Sequence, residues 1–274
     1  MCSSDLGGSE MDSVVILEEA SEMGKFGIAL QTYTVRDDMA RDFKGTLQKV
    51  AEMGYPAVQL SSTGGMSVQE ARQFLDSLGL KVFGGHFGIE QLEKDLDSVL
   101  ELARGLGMEY IVVPWMPEEL RRDAEGWKSV AKRMNAIGEK VVAAGFTFCY
   151  HNHSFEFQKF DGKYGLDIFY ENSDPKLVQA ELDTYWVKHG GEDPAEYIRK
   201  YAGRVPLLHL KDMAEDGSFA EVGHGILDWD AIFKAAEQSG VKWMAVEQDV
   251  CKRPPLESAK LSLDFLRSKG LLLP

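Results

Sequence analysis

The sequence has few cysteines, no long apolar run and no excess of basic residues. Its three cysteines, Cys2, Cys149 and Cys251, lie far apart without metal-ligand spacing, which indicates unpaired thiols in a reducing, cytoplasmic setting. No apolar run approaches the roughly 20 residues that a membrane-spanning helix needs, so we expect no membrane partner. The 30 Lys and Arg residues face 44 Asp and Glu residues, a net charge of -14. This charge argues against a nucleic-acid partner, because binding phosphates needs clustered basic side chains.

The first 25 residues differ in composition from the rest of the chain. They are rich in Ser, Glu, Asp and Gly, and they lack the basic start and long apolar core of a signal peptide. We therefore expect residues 1–25 to form a flexible N-terminal extension. Residues 26–274 contain no linker rich in Pro or Ser, and we expect them to form one catalytic domain.

One unit recurs from Gly27 onward: an amphipathic helix, a glycine and a short apolar strand. Thr46–Met53, for example, is followed by Gly54 and by Ala57–Leu60. A glycine after the last helical turn is typical of a left-handed helix cap, and strands without polar alternation are typical of a sheet that is buried on both faces. The other predicted strands are Ile28–Leu30, Lys81–Phe83, Tyr110–Val113, Thr147–Tyr150, Val178–Leu182, Val205–Leu208 and Trp243–Val246.

About eight strands that alternate with helices predict a closed (β/α)8 barrel. An open doubly wound sheet is the alternative. The first strand, however, is followed by Gln31, Thr32 and Tyr33 instead of a glycine-rich phosphate loop. In a barrel, all the strands deliver their carboxyl ends to one face, where residues remote in sequence meet. The residues at those ends are Gln31, Tyr33, Gln59, His86, Pro114, Trp115, His151 to His153, Asp183, His209, Lys211, Glu247 and Gln248.

Four of these strand ends suggest a metal site. His151, Asp183, His209 and Glu247 follow successive strands five to eight, and a mixed set of nitrogen and oxygen ligands is typical of a catalytic divalent metal. Two imidazoles favour Mn, Co, Zn or Fe over Mg, and two carboxylates favour Mn in particular. Taken singly, each of these residues is more typical of a hydrogen-bonded core side chain or a helix N-cap than of a metal ligand, and the four together favour the metal site.

Five short segments carry a family resemblance. They are Tyr150-His151-Asn152-His153, Glu181-Leu182-Asp183-Thr184-Tyr185-Trp186, Leu208-His209-Leu210-Lys211-Asp212, Val222-Gly223-His224-Gly225 and Val246-Glu247-Gln248-Asp249. Through them the chain resembles the xylose isomerase-like barrel superfamily from about Gly27 to its C-terminus, and most of all the proteins called sugar phosphate isomerase/epimerase. That superfamily holds sugar isomerases, sugar epimerases, inosose dehydratases and endonuclease IV.

The resemblance implies one divalent metal, with Asp183, His209 and Glu247 at three of its ligand positions. At the fourth position the ketose epimerases usually carry a second Glu, whereas this chain has His151. In the epimerases the two glutamates exchange protons with one carbon from opposite sides, so the replacement argues against two-sided epimerisation. It also removes a negative charge and leaves a stronger Lewis acid.

A shared chemistry follows for the sugar-active members. The metal acidifies the proton beside a carbonyl and stabilises the enediolate, while a base removes that proton. Glu247 is our first choice of base, His153 the second and Glu156 the third. A His151 that binds metal cannot use the same nitrogen as a base. Return of the proton to the neighbouring carbon gives isomerisation, and loss of a β-hydroxyl or alkoxyl group gives a lyase.

Other residues of the same face are candidates for contact with the substrate. Lys211 is placed to neutralise a substrate oxyanion, or alternatively to form a salt bridge with Asp212, Asp249 or Glu247. Aromatic faces suit the apolar side of a sugar, although the tryptophans also suit ordinary packing at the barrel mouth. The glycine-flanked loop at His224 favours close approach of a ligand, or a plain turn. The expected substrate-binding residues are Tyr33, His86, Trp115, Asn152, Trp186 and His224.

The function expected from the resemblance is a metal-dependent sugar isomerase or epimerase acting on a small ketose or keto-sugar. The alternative is a lyase, a dehydratase or a glycoside-cleaving enzyme acting on a 3-keto-sugar or inosose. A DNA-repair enzyme and a non-catalytic sugar-binding subunit are further readings. The former needs more metal ligands and a basic face. The resemblance also implies a homodimer or homotetramer, and the lack of a basic cluster favours an unphosphorylated sugar at least as much as a sugar phosphate.

Overall fold

Eight parallel strands close into a barrel in the computed structural model, which describes residues 26–272. Each barrel strand pairs with its neighbours in the chain, and the last strand pairs with the first through Met244 and Ile28. The predicted (β/α)8 barrel is confirmed. The expected flexible extension over residues 1–25 lies outside the described residues. The barrel strands are β1 (Gly27–Gln31), β2 (Ala57–Gln59), β3 (Lys81–His86), β4 (Tyr110–Val113), β5 (Thr147–His151), β6 (Gln179–Asp183), β7 (Leu207–Leu210) and β8 (Trp243–Val246).

Helices surround the barrel, and polar caps and glycines set their ends. Asp42 accepts a hydrogen bond from the backbone of Gly45 at the start of one helix, and Gly54 ends the same helix with φ of 99°. The predicted glycine caps therefore have their physical basis in the left-handed backbone. The helices are α1 (Arg36–Arg41), α2 (Phe43–Met53), α3 (Val68–Ser77), α4 (Ile89–Lys94), α5 (Leu96–Leu106), α6 (Ala124–Ala143), α7 (Gly165–Asn172), α8 (Thr184–His189), α9 (Pro194–Lys200), α10 (Trp229–Ser239) and α11 (Pro255–Ser268).

Short elements decorate the carboxyl ends of the strands. One hairpin pairs Lys159–Phe160 with Lys163–Tyr164, and another pairs Asp212–Met213 with Phe219–Ala220. Single 3-10 turns follow β1, β4 and β5 at Thr32–Val35, Glu118–Leu120 and Phe155–Phe157.

The barrel interior is apolar at its amino end and polar at its carboxyl end. Phe83 stacks on Trp243 with ring centroids 4.8 Å apart, and Leu207 belongs to the same apolar cluster. Because side chains two residues apart in a strand share a face, His209 lies above Leu207 in the interior. Glu181 on β6 is likewise buried. The apolar floor therefore supports a layer of buried polar groups.

Candidate metal and sugar site

A cavity of about 860 Å³ opens at the carboxyl ends of the barrel strands. Its size lies within the range of small-molecule sites. The cavity is lined by six of the residues that the sequence predicted for the site, and also by several that it did not predict. The predicted residues are Tyr33, His86, Trp115, His151, His153 and Glu247, and those not predicted include Arg36, Met39, Phe43 and Asp249.

Four side chains from β5 to β8, which we call the outer set, converge beside this cavity. The outer set is His151, Asp183, His209 and Glu247, and one potential ligand atom of each lies within 4.8 Å of the others. His209 Nδ1 lies 2.9 Å from Glu247 Oε2 and 4.0 Å from Asp183 Oδ2, while His151 Nε2 lies 3.9 Å from the same Asp183 oxygen. All four are buried. The predicted convergence is therefore present in the structure.

Asp183 divides its two oxygens between two environments. Oδ1 accepts a hydrogen bond from the backbone N–H of Trp186 at 2.9 Å and so caps helix α8. Oδ2 is buried and accepts no hydrogen bond of standard geometry among residues 26–272, although the ammonium of Lys211 lies 2.9 Å away. The N-cap alternative is thus correct for one oxygen, and the other oxygen faces the buried ammonium of Lys211. Burial raises the pKa of Asp183 to about 6, although the ammonium of Lys211 opposes the rise.

Lys211 is fully buried among three carboxylates. Its Nζ lies 2.9 Å from Asp183 Oδ2, 2.7 Å from Glu247 Oε2 and 2.6 Å from Asp249 Oδ2. Burial opposes its charge, but these carboxylates outweigh that cost and raise the pKa of Lys211 above its ordinary value. The salt-bridge alternative is confirmed for Asp249 and Glu247. It is wrong for Asp212, which instead accepts the backbone N–H groups of the loop at 223–227.

The outer set fits a divalent cation. Asp183, Glu247 and Asp249 bring three carboxylates against two cations, the ammonium of Lys211 and the imidazolium of His209, whose pKa is raised to about 10. A buried carboxylate in excess needs further positive charge. Asp183 Oδ2, which accepts no hydrogen bond of standard geometry from a described residue, is one oxygen that a second cation beside Lys211 could bind. Two imidazole nitrogens and two carboxylate oxygens suit Mn, Fe, Co or Zn.

Glu181, which the sequence analysis passed over, is the buried carboxylate beneath the outer set. Its Oε2 lies 2.7 Å from His86 Nε2, 3.1 Å from His209 Nε2 and 3.4 Å from His151 Nδ1. Burial disfavours its charge, yet His209 and His86 hold the pKa of Glu181 well below its usual range. A signal was available, because an acidic residue inside the otherwise apolar run Val178–Leu182 needs a buried partner.

The three residues predicted as bases occupy different environments. Glu247 lines the cavity, and no described residue donates a hydrogen bond to its Oε1. His153 also lines the cavity; burial lowers its pKa to about 3, so its imidazole is neutral, and its Nδ1 has no hydrogen-bond partner among the described residues. Glu156 does not line the cavity; its carboxylate accepts hydrogen bonds from Tyr150 Oη at 2.6 Å and from the backbone of His153 at 2.9 Å.

The predicted substrate-binding residues fall into two groups. Tyr33 and Trp115 are about half exposed and line the cavity. The remainder, apart from His86, are not among the lining residues. Asn152 accepts the backbone N–H of Asp183 at 3.1 Å, Trp186 lies 5.4 Å from His153 between ring centroids, and His224 is on an exposed loop.

Arg36 is a basic residue of the cavity wall that the sequence analysis did not single out. Its guanidinium lies 4.1 Å from the centre of the Tyr33 ring and donates to the backbone carbonyls of Tyr33 and Asp249 at 2.8 and 3.0 Å. Arg36 lies one turn after β1 and belongs to no sequence motif that would have indicated a role in the site. These contacts show that Arg36 ties the β1 and β8 loops together at the cavity mouth.

The comparisons agree with the fold. The family model described as xylose isomerase-like TIM barrel matches residues 47–269. An inosose dehydratase from Clostridium beijerinckii is 23% identical over 91% of this chain and 98% of that protein. A sugar phosphate isomerase/epimerase structure from Parabacteroides distasonis is 24% identical to this chain and superposes with a TM-score of 0.79. The match covers 91% of this chain and 98% of that chain. A D-psicose 3-epimerase structure is 14% identical and superposes with a TM-score of 0.69. The match covers 90% of this chain and all of that chain.

Across the described residues, the helices are too short or too polar to span a membrane. Cys149 and Cys251 carry free thiols, as the sequence predicts, and Cys2 lies outside the described residues.

Proposed function

The chain belongs to the xylose isomerase-like TIM barrel family, and we propose that it is a metal-dependent carbon–oxygen lyase that acts on a keto-sugar or keto-inositol. The outer set holds the metal in this proposal, and the cavity beside it takes the substrate. A divalent metal supplies Lewis acidity there, which acidifies the carbon next to the substrate carbonyl.

The observation that carries the proposal is the asymmetry of the outer set. Glu247 is its one carboxylate that lines the cavity, whereas the position on β5 holds the imidazole of His151. Burial lowers the pKa of His151 far below its ordinary value, so this side chain is neutral. One carboxylate base serves an elimination, because that reaction removes a proton from a single face of a carbon.

Glu247 is assigned as the base. Its Oε2 is held by the ammonium of Lys211 at 2.7 Å, which fixes the carboxylate and leaves Oε1 for the proton of the substrate carbon. His153, with its neutral imidazole on the cavity wall, is placed to exchange a proton with the departing oxygen. Names among the similar proteins support this chemistry, since inosose dehydratases are lyases of a keto-inositol.

A ketose isomerase or epimerase is the second candidate. The observation that favours it is the cavity position of His153, which offers a second proton-carrying group besides Glu247. In that case the proton removed by Glu247 returns to the substrate carbon framework, and no group leaves. The structures of the P. distasonis protein and D-psicose 3-epimerase share the fold with this chain.

The test is incubation of Mn²⁺-loaded protein in deuterated water with ketoses, 3-keto-glycosides and inosose. The lyase predicts an enone absorbance or a released alcohol. The isomerase predicts deuterium beside the carbonyl without an enone. Glu247→Gln abolishes either signal while the protein stays folded, and Glu125→Gln, at an exposed helix start, keeps it. Absence of both signals with every substrate refutes the two candidates together.

A further inference from the structure

The hydrogen bonds beneath the outer set start from a donor whose identity is certain, the backbone N–H of Tyr33. It donates to Gln31 Oε1 at 3.1 Å, which makes the other side of that amide, Nε2, a donor. Gln31 Nε2 lies 2.6 Å from Gln59 Oε1, so Gln59 accepts there and its own Nε2 donates to Glu181 Oε1 at 2.7 Å. The orientation of both amides is thus fixed by one peptide group.

This chain of bonds determines which nitrogen of His209 carries a proton toward the barrel interior. His209 Nε2 lies 2.7 Å from Gln59 Oε1 and 3.1 Å from Glu181 Oε2. Both neighbours are acceptors, so Nε2 is an N–H donor. The opposite nitrogen, Nδ1, points at Glu247 in the outer set, 2.9 Å from its Oε2. Nδ1 faces one acceptor and Nε2 faces two, so a neutral His209 keeps its proton on Nε2 and its lone pair on Nδ1.

His151 is arranged in the same way with its nitrogens exchanged. Its Nδ1 lies 3.4 Å from Glu181 Oε2, and its Nε2 lies 3.9 Å from Asp183 Oδ2. Nδ1 makes no hydrogen bond of standard geometry with the described residues, and of the two nearby carboxylates Glu181 is the closer to the ring, which favours the proton on Nδ1. The Nε2 lone pair then faces the outer set. One carboxylate thus stands behind both imidazoles of the predicted metal site.

A second group of possible metal ligands lies beside the outer set, so the positions of the histidine protons determine which group can bind a metal. His86, His151, Glu181 and His209 also bring atoms within 4.8 Å of one another and form a second possible metal cluster. His86 Nε2 lies 2.7 Å from Glu181 Oε2, while Gln31 Nε2 lies 3.4 Å from His86 Nδ1 as a donor. His86 and His209 therefore direct N–H groups at Glu181, and the same carboxylate lies 3.4 Å from His151 Nδ1 without a hydrogen bond of standard geometry. Protonated nitrogens do not bind metal.

We infer that Glu181 is a positioning residue that fixes the tautomers of His151 and His209, so that a divalent metal binds the outer set and is excluded from the His86 cluster. A carboxylate that accepts the second N–H of a metal-bound histidine orients the ring and raises its basicity as a ligand. The inference rests on the role of the outer set in the proposed function, but its tests need no substrate. Failed turnover and failed metal positioning are therefore distinguishable.

The first test measures the affinity for Mn²⁺ alone by calorimetry in wild type, Glu181→Gln and Glu156→Gln. Glutamine keeps the shape of Glu181, but its NH2 group must face either the imidazole N–H groups or the N–H of Gln59, so one set of bonds is lost. We expect Glu181→Gln to bind Mn²⁺ roughly 10- to 100-fold more weakly. Glu156→Gln alters an equally buried carboxylate that contacts neither His151 nor His209, and it should keep the wild-type affinity. Equal affinities in all three proteins overturn the inference.

The second test observes the tautomers directly in wild type, so it does not depend on a variant that folds. Long-range 15N–1H spectra of 15N-histidine-labelled, Zn²⁺-loaded protein should show His151 protonated at Nδ1 and His209 at Nε2. Asp183→Asn should greatly weaken Zn²⁺ binding, whereas His86→Asn should leave a bound ion. Protonation at the opposite nitrogens, or binding that survives Asp183→Asn and is lost in His86→Asn, places the metal in the His86 cluster and refutes the inference.

Discussion

Lys211 Nζ lies 2.7 Å from Glu247 Oε2, an oxygen that His209 Nδ1 approaches to 2.9 Å from another side. One carboxylate oxygen thus serves a buried ammonium and a predicted metal ligand at once. Lys211 Nζ also lies 2.9 Å from Oδ2 of Asp183, another predicted metal ligand. In the proposed metal site, Lys211 and the bound cation would therefore share the negative charge of these two carboxylates.

Replacing Lys211 should reveal this shared balance. Lys211→Met leaves Asp183, Glu247 and Asp249 without their common counter-ion. Removing one partner of a buried ion pair typically lowers the unfolding free energy by about 3–5 kcal/mol, because the remaining charge is left unpaired. We expect this loss in urea unfolding with a chelator present, and a larger stabilisation by Mn²⁺ in the variant than in wild type. Lys260→Met, which breaks the exposed pair with Asp264, should cost under about 1 kcal/mol. An unchanged stability of Lys211→Met would contradict the prediction.

His209 should make the metal-free protein lose stability at high pH. Burial opposes its charge, but Glu181 and Glu247 raise its pKa from 6.5 to about 10, so the folded state binds the proton more tightly. The stabilisation is complete below pH 6.5 and is lost as the pH rises through 10, with a slope of at most about 1.4 kcal/mol per pH unit. Urea unfolding between pH 6 and 10 should show this slope in wild type and a flatter one in His209→Asn. Stability curves of equal slope in wild type and His209→Asn would contradict the prediction.

Glu156 should destabilise the protein once it ionises. Burial raises its pKa from 4.5 to about 7, although the hydrogen bonds from Tyr150 and His153 act to lower it. Because the raised pKa favours the protonated folded state, wild type loses this contribution as the pH rises from 4.5 through 7. Glu156→Gln stays neutral, so its stability relative to wild type should increase across that interval, by at most about 1.4 kcal/mol per pH unit. The comparison is a denaturant series at pH 5 and pH 8, and an equal difference at both would be the contrary result.

Trp115 should affect substrate affinity and leave stability nearly unchanged. The side chain is about half exposed on the cavity wall, so Trp115→Ala removes few core contacts and should shift the unfolding free energy by about 0.5 kcal/mol or less. Loss of a contact made equally with substrate and transition state raises KM and leaves kcat unchanged. Val142→Ala, at another exposed apolar residue, is the control for KM. A fall in kcat at constant KM would place Trp115 in the chemistry instead.

The fold was readable from local patterns. Glycines such as Gly54 and Gly240 end helices in the left-handed conformation, and the apolar runs after them form parallel strands with nearly the predicted bounds, as at Tyr110–Val113. Strand β3 is longer than predicted, since it continues through Gly84 and Gly85 to His86. Glycines suppress the apolar signal of a strand, and here neighbouring strands supply the hydrogen bonds that extend it.

The candidate site was only partly readable. Strand ends gave the outer set, because parallel strands deliver consecutive ends to one face. Glu181 was missed because it lies within an apolar run, and Arg36 because it follows no pattern. The sequence also left open whether Lys211 faces a substrate or a salt bridge, a choice that depends on distances across three strands.

Local patterns were enough to predict the barrel, the order of its strands and the four residues that meet at strands five to eight, because helix and strand periodicity and glycine caps are local properties. The three-dimensional structure was needed to show that Asp183 divides its oxygens between a helix cap and the ammonium of Lys211, that three carboxylates enclose Lys211, and that Glu181 lies behind His151 and His209. Those relationships are set by contacts of a few ångströms between side chains far apart in the chain, and their strength depends on burial, which no local pattern specifies.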